Sequence, residues 1–266
     1  MSNAFILLSH ERSGSHLVGE FIATVTGFRM FDEVCNPDAV KPAKHAESFF
    51  RFKHDALLRD PSLLLEPSSQ GHRDFVRAYF AYLQSLCRVP NFAVDIKYGH
   101  VHNFEMYWWP ILERPALFNI CESNDIGIVH LFRENVVEAT VSSQIANRRK
   151  IWHSWQAGEE SAARQSFKLP VHEIVRKARL LEQQTNWFRD WTSQNKKLAI
   201  SYEKVASELG TGGALDEVFT NFLGAPLKKP FTPRVQKLTP PLREVVENFD
   251  ELRGVCSDAG WARFVA

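Results

Sequence analysis

Ala4-Phe5-Ile6-Leu7-Leu8, then Ser9-His10-Glu11-Arg12-Ser13-Gly14-Ser15-His16, then Leu17 onward: this opening stretch decides the fold. The apolar run has the length of a buried strand. Leu17, Val18, Phe21, Ile22 and Val25 recur at the one-, three- and four-residue spacings of a helix with one buried face. In the turn between them Ser13 or Ser15 can cap the helix, and Gly14 removes a side chain where a ligand needs close backbone approach. A helix begins with N–H groups that lack intrahelical partners and with the positive end of its dipole. Strand, turn and helix together therefore suit an anion such as a phosphate or a sulfuryl group, with Arg12 as a planar fork for its oxygens. No Lys precedes the hydroxyl residue as the G-x-x-x-x-G-K-[ST] loop requires, so Arg12 is expected to serve in its place.

A second turn repeats the pattern. Gly127-Ile128-Val129-His130-Leu131-Phe132 reads as a buried strand, and it runs into Arg133-Glu134-Asn135 and a helix built on Val137, Val141 and Ile145. Arg133 at the strand end, with Ser142 or its neighbour Ser143 on the helix, can grip a phosphate, the guanidinium forking onto its oxygens. Further strands are expected at Asn91 to Lys97 and Leu198 to Tyr202, with helices over Arg73 to Cys87, Val171 to Thr192 and Leu215 to Leu223, the last capped by Gly224. Pro240-Pro241 opens a final helix expected to run to about Arg253, and a turn is expected after Glu203. Asn36-Pro37 signals a turn, which puts Asp32 and Glu33 near the rim where ligands bind in open α/β sheets; a carboxylate there can take a proton from an acceptor hydroxyl.

The chain has 266 residues, 44% of them hydrophobic, enough for one large α/β domain. Lys plus Arg number 32 against 31 for Asp plus Glu, so no global field favours nucleic acid or an anionic membrane, and any affinity for anions must be local. No stretch has the length of a membrane span, and the first apolar run stops short of a signal peptide. Cys35, Cys87, Cys121 and Cys256 are widely spaced, which fits a reducing cytoplasm. His100, His102, Cys121 and His130 match no standard metal spacing, so no metal site is expected.

Taken together, the two turns resemble the nucleotide-gripping motifs of sulfotransferases that use 3′-phosphoadenosine-5′-phosphosulfate (PAPS), in the bacterial-type branch that includes the trehalose and nodulation-factor enzymes. The R-[ST]-G-[ST]-T-like loop of that family corresponds to Arg12-Ser13-Gly14-Ser15-His16, with His16 in place of a hydroxyl residue, and the Arg-then-Ser motif to Arg133 and Ser142. Glu134 stands where a second basic residue is often found. Asp32-Glu33-Val34-Cys35-Asn36, the strand ending in Tyr202-Glu203 and the Val245 to Leu252 helix fall in the family's order.

The resemblance implies a P-loop-NTPase-like three-layer α/β fold, a central mostly parallel sheet flanked by helices, in a single domain over 1–266 with acceptor-side insertions at 37–72 and 103–126. It implies PAPS as sulfuryl donor, with 3′-phosphoadenosine-5′-phosphate as product, and no metal. Arg12, Ser13, Gly14, Ser15, His16 and Leu17 would hold the 5′-phosphosulfate, Arg133 and Ser142 the 3′-phosphate, and Arg234 and Lys237 would close over it. Glu33 would be the base, assisted by Arg12 and Lys97, unless Lys97 is a snorkelling surface side chain. The acceptor would be a carbohydrate, a glycolipid or another small hydroxyl compound, with Tyr107-Trp108-Trp109-Pro110 available for stacking; a homodimer stays open. The rivals are a nucleotide-dependent phosphotransferase and a non-catalytic module that binds an adenosine bisphosphate.

Overall fold

The run Phe5-Ile6-Leu7-Leu8 sends alternate side chains to opposite faces of a sheet, and both faces bury them: Phe5 and Leu7 in one apolar cluster, Ile6 and Leu8 in another. The chain is described here by a computed structural model that covers residues 3–36, 46–64, 69–105, 113–149, 165–233 and 240–265. Its strands are β1 (Ala4–Ser9), β2 (Phe28–Phe31), β3 (Asn91–Lys97), β4 (Gly127–Phe132) and β5 (Lys197–Ser201). They form a sheet in the order β2-β3-β1-β4-β5, and every neighbouring pair is parallel. Burial on both faces explains why β1 and β4 read as continuous apolar runs rather than as alternating ones.

The cluster on one face takes Val18, Phe21 and Ile22 from α1 (Ser15–Thr24), Val205 from α7 (Tyr202–Glu208) and Leu215, Phe219 and Leu223 from α8 (Ala214–Leu223). On the other face lie α2 (Phe49–Arg59), α3 (Ser69–Ser85), α4 (Ala116–Ser123), α5 (Val136–Arg149), α6 (Val171–Trp191) and α10 (Phe249–Asp258). The result is a three-layer α/β fold. From β1 the chain continues toward β2, and from its neighbour β4 it continues toward β5, in opposite directions. Such a reversal opens a crevice outside the carboxyl ends of the two strands.

Three expectations need correction. Tyr202 to Glu208 is helical, not a turn, because Ser201 Oγ accepts the Lys204 N–H and starts a helix directly at the end of β5. The final helix is broken into α9 (Leu242–Val245) and α10. Phe167 takes the Val245 carbonyl and the Glu247 N–H out of the helical ladder, and Asn248 turns to hydrogen-bond both main-chain groups of Leu169. Within 37–72, where the broken pattern of Pro42, Pro61 and Pro67 suggests only short helical turns and loops, Ser48 caps the eleven residues of α2. Residues 107–110 and the bulk of 152–167, including the proposed stacking aromatics, lie outside the described residues.

Candidate active site

The β1–α1 turn is shaped by two residues in the left-handed region, Arg12 (φ 64°) and Gly14 (φ 82°). At Gly14 a Cβ would come within 2.5 and 2.8 Å of Tyr202 ring carbons, so glycine is required by backbone conformation and by space. Neither serine caps α1 as expected. Gly14 occupies the cap position without a side-chain hydrogen bond to the helix; the Ser13 hydroxyl donates to the His10 carbonyl, and Ser15 Oγ accepts from Lys97 Nζ at 2.6 Å. Both hydroxyls are turned to other partners, and the helix N-terminus is left for a ligand.

Lys97 ends β3 beside this turn, and it is buried, not a snorkelling surface residue. Its register opposite Ser9 carries Nζ to Ser15 and Ser9 (2.6 and 3.4 Å) and to Asp95 Oδ2 (2.5 Å). The loop sequence has no lysine, but Lys97 of the neighbouring strand stands beside it. Glu33 lies 3.8 Å from the ammonium, at a left-handed φ of 33°, and Asn36 Nδ2 donates to its other oxygen at 3.1 Å. Such backbone conformations in non-glycine residues cost about 1–3 kcal/mol and cluster at functional sites; Arg12 and Glu33 are two of the three among the described residues. Burial raises the Asp32 carboxyl above its usual range, with nearby His16 opposing the shift. Burial also pushes the His10 imidazole down.

Arg133, at the carboxyl end of β4, is almost fully buried. Its Nη1 donates to the Arg12 carbonyl at 3.0 Å, Nη2 pairs with Glu138 at 3.0 Å, and its face lies 4.5 Å over the Tyr202 ring. Arg12 Nε in turn donates to Ser142 Oγ at 3.2 Å. The two turns are therefore locked together, each arginine bound to an element of the other. Burial first, and Arg133 second, push the Arg12 guanidinium below its usual range. Glu203, following Tyr202, accepts the main-chain N–H groups of Glu134 and Asn135 at 3.0 and 3.1 Å.

The structure thus gathers Arg12, Ser13, Gly14, Ser15, His16 and Leu17, with Glu33, Lys97, Arg133 and Ser142, at the carboxyl end of the sheet. Arg234 and Lys237 lie outside the described residues. Ser142 meets Arg12 rather than Arg133. Sequence reasoning does not anticipate Asp95, Glu138 or the contacts of Tyr202. A charged residue inside the otherwise apolar Phe92-Ala93-Val94-Asp95-Ile96 is the signal that could have found the first.

Residues 123–241 match the family model described as Stf0 sulphotransferase. Among solved structures, a sulfotransferase from Alicyclobacillus acidocaldarius aligns at 14% identity over 98% of this chain and 96% of its own, with a TM-score of 0.47. The sulfotransferase domain from the curacin biosynthetic pathway aligns at 13% identity over 87% and 76%, with a TM-score of 0.45. No curated protein matches the chain. Arg133, Ser142, Tyr202 and Glu203 all lie within residues 123–241, the stretch that is similar to the Stf0 sulphotransferase family.

Proposed function

We propose that the chain transfers a sulfuryl group from PAPS to the hydroxyl of a carbohydrate or glycolipid by in-line displacement. The observation that carries this reading is the α1 N-terminus, left without a side-chain cap while Lys97 and Arg12 converge beside it. Open amides, a helix dipole and two fixed cations fit the phosphate of a phosphosulfate anhydride and the charge that develops on its bridging oxygen. PAPS supplies the activated sulfuryl group. The helix amides from Ser15 to Leu17, with Arg12 and Lys97, hold the 5′ end, and Arg133, already oriented by Glu138 and Tyr202, offers its remaining donors to the 3′-phosphate.

Glu33 accepts the proton of the attacking hydroxyl, a contribution of about 10²–10⁴-fold. Its distance from Lys97 leaves the carboxylate available. The carbohydrate or glycolipid acceptor is supported by the family resemblance, and the segments around 37–72 and 103–126 are assigned to its side of the site. The four cysteines are free, in keeping with a reducing compartment. Among the described residues no helix is long and apolar enough to cross a membrane.

Thermal-shift titration with 3′-phosphoadenosine-5′-phosphate, 5′-AMP and ATP tests the donor. At about 100 times its dissociation constant a ligand stabilises the fold it binds by about 2.7 kcal/mol. A shift confined to the bisphosphate and lost in Arg133→Ala supports the reading; a larger shift with ATP favours a phosphotransferase. Glu33→Gln is expected to keep bisphosphate binding while transfer falls by about 10²–10⁴-fold. A parent protein that binds the bisphosphate but turns over no hydroxyl acceptor would instead be a binding module.

A further inference from the structure

Asp95 lies two residues before Lys97 on β3, on the same face of the strand, opposite Leu7 of β1. Its neighbours on this face of the sheet, Ala93, Leu7 and Phe5, are apolar and buried. Asp95 itself is wholly inaccessible. A carboxylate in such a place is costly unless paired, and among the described residues its pairing rests on one group: Oδ2 is 2.5 Å from Lys97 Nζ, while Oδ1 has no hydrogen-bond partner there.

The ammonium has three donors. Asp95 takes one from the buried side and Ser15, at the start of α1, takes a second. The third reaches Ser9 Oγ at the longer distance of 3.4 Å, beside Glu33 and on the side where the 5′ end of a donor would lie. The buried carboxylate also answers the charge of Lys97, so the partly exposed Glu33 stands 3.8 Å away and is not drawn into a hydrogen bond with it.

Resting on the donor site assigned above, we propose that Asp95 is a positioning residue that holds the Lys97 ammonium against the start of α1 and keeps Glu33 clear of it. It touches no reacting atom and acts through Lys97.

The test uses the full chain labelled with nitrogen-15 lysine. The parent is expected to give a protected ammonium cross-peak, assigned by its loss in Lys97→Met, and Asp95→Asn is expected to abolish or shift it. This readout needs no ligand. The second arm measures bisphosphate dissociation constants in the parent, Asp95→Asn, Lys97→Met and the double variant.

Asp95→Asn is expected to weaken binding by about tenfold to a hundredfold, the scale of a lost charge-assisted hydrogen bond. The loss should vanish in the Lys97→Met background. An unchanged cross-peak in folded Asp95→Asn, or a binding loss that persists in the double variant, overturns the proposal. If Asp95→Asn does not fold, Asp95→Glu replaces it; a displaced carboxylate must shift the cross-peak, and an unshifted one overturns the proposal. A parent that binds no bisphosphate removes the donor reading, while the cross-peak still decides whether Asp95 holds Lys97.

Discussion

At the β1–α1 turn the helix begins after Gly14, and no side chain caps it; at the β4–α5 turn Glu203 takes the amides of Glu134 and Asn135, and Asn135 Oδ1 takes that of Glu138. Both turns follow a parallel strand of the same sheet, and both carry an arginine at or just beyond the strand end. One helix N-terminus is open to an anion and the other already holds a carboxylate. At the second turn, then, the group that our proposal gives to the anion is the arginine side chain. Under that proposal, two similar sequence patterns serve as a backbone site and a side-chain site.

The comparison breaks most severely at Gly14. Gly14→Val forces a β-branched residue to φ 82° and pushes its Cβ into Tyr202, which itself lies against Arg133. The left-handed backbone alone costs about 1–2 kcal/mol. Bisphosphate affinity is expected to fall by at least about a hundredfold, with a lower Tm, measured by calorimetric titration and thermal melts. Retained affinity in a folded Gly14→Val protein would show that the turn does not form the site.

A third helix start sharpens the contrast through pH. Glu105 Oε1 accepts the Ala116 N–H of α4 at 2.9 Å, and Oε2 lies 3.7 Å from His72 Nδ1; Lys53 donates to the Glu105 carbonyl. Burial raises this carboxyl from 4.5 to about 7 despite the helix amides and Lys53, which oppose the shift. The folded state therefore holds the proton more tightly than the unfolded chain. The resulting stability is present in full below about pH 4.5 and is lost as pH rises through about 7, on the order of 2–3 kcal/mol. Glu105→Gln should flatten that part of the stability profile in urea titrations between pH 4.5 and 8; an unchanged slope would assign it to other groups.

The smallest effect is expected at the closed turn. Glu203→Gln weakens the cap on α5 by about 1 kcal/mol and should lower Tm by a few degrees while leaving α1 untouched. A loss of bisphosphate binding comparable to that of Gly14→Val would show that the two turns do not act separately.

Much of this frame is legible in the sequence because β1, β4 and the helices after them carry strong periodicity and sit at turns with glycine or arginine. Gly224 closing α8 in the left-handed conformation is of the same local kind. What escaped depends on partners distant in sequence. No local pattern shows that Ser15 would meet Lys97 rather than its own helix, or that Asn248 would leave its helix to clamp Leu169. Tyr202 and Glu203 follow a readable strand, but their contacts with Gly14, Arg133 and the α5 amides exist only once β5 lies beside β4.

That dependence has a kinetic side. The bonds that close the site span 69 residues from Glu134 to Glu203, 82 from Ser15 to Lys97 and 121 from Arg12 to Arg133. Contacts between such remote positions, in an all-parallel sheet, form slowly because loop closure must precede them. During synthesis the proposed anion site cannot be completed before β5 has emerged and docked beside β4. Bisphosphate binding would therefore report a late step of folding, and nascent chains that end before β5 should bind no better than the unfolded chain.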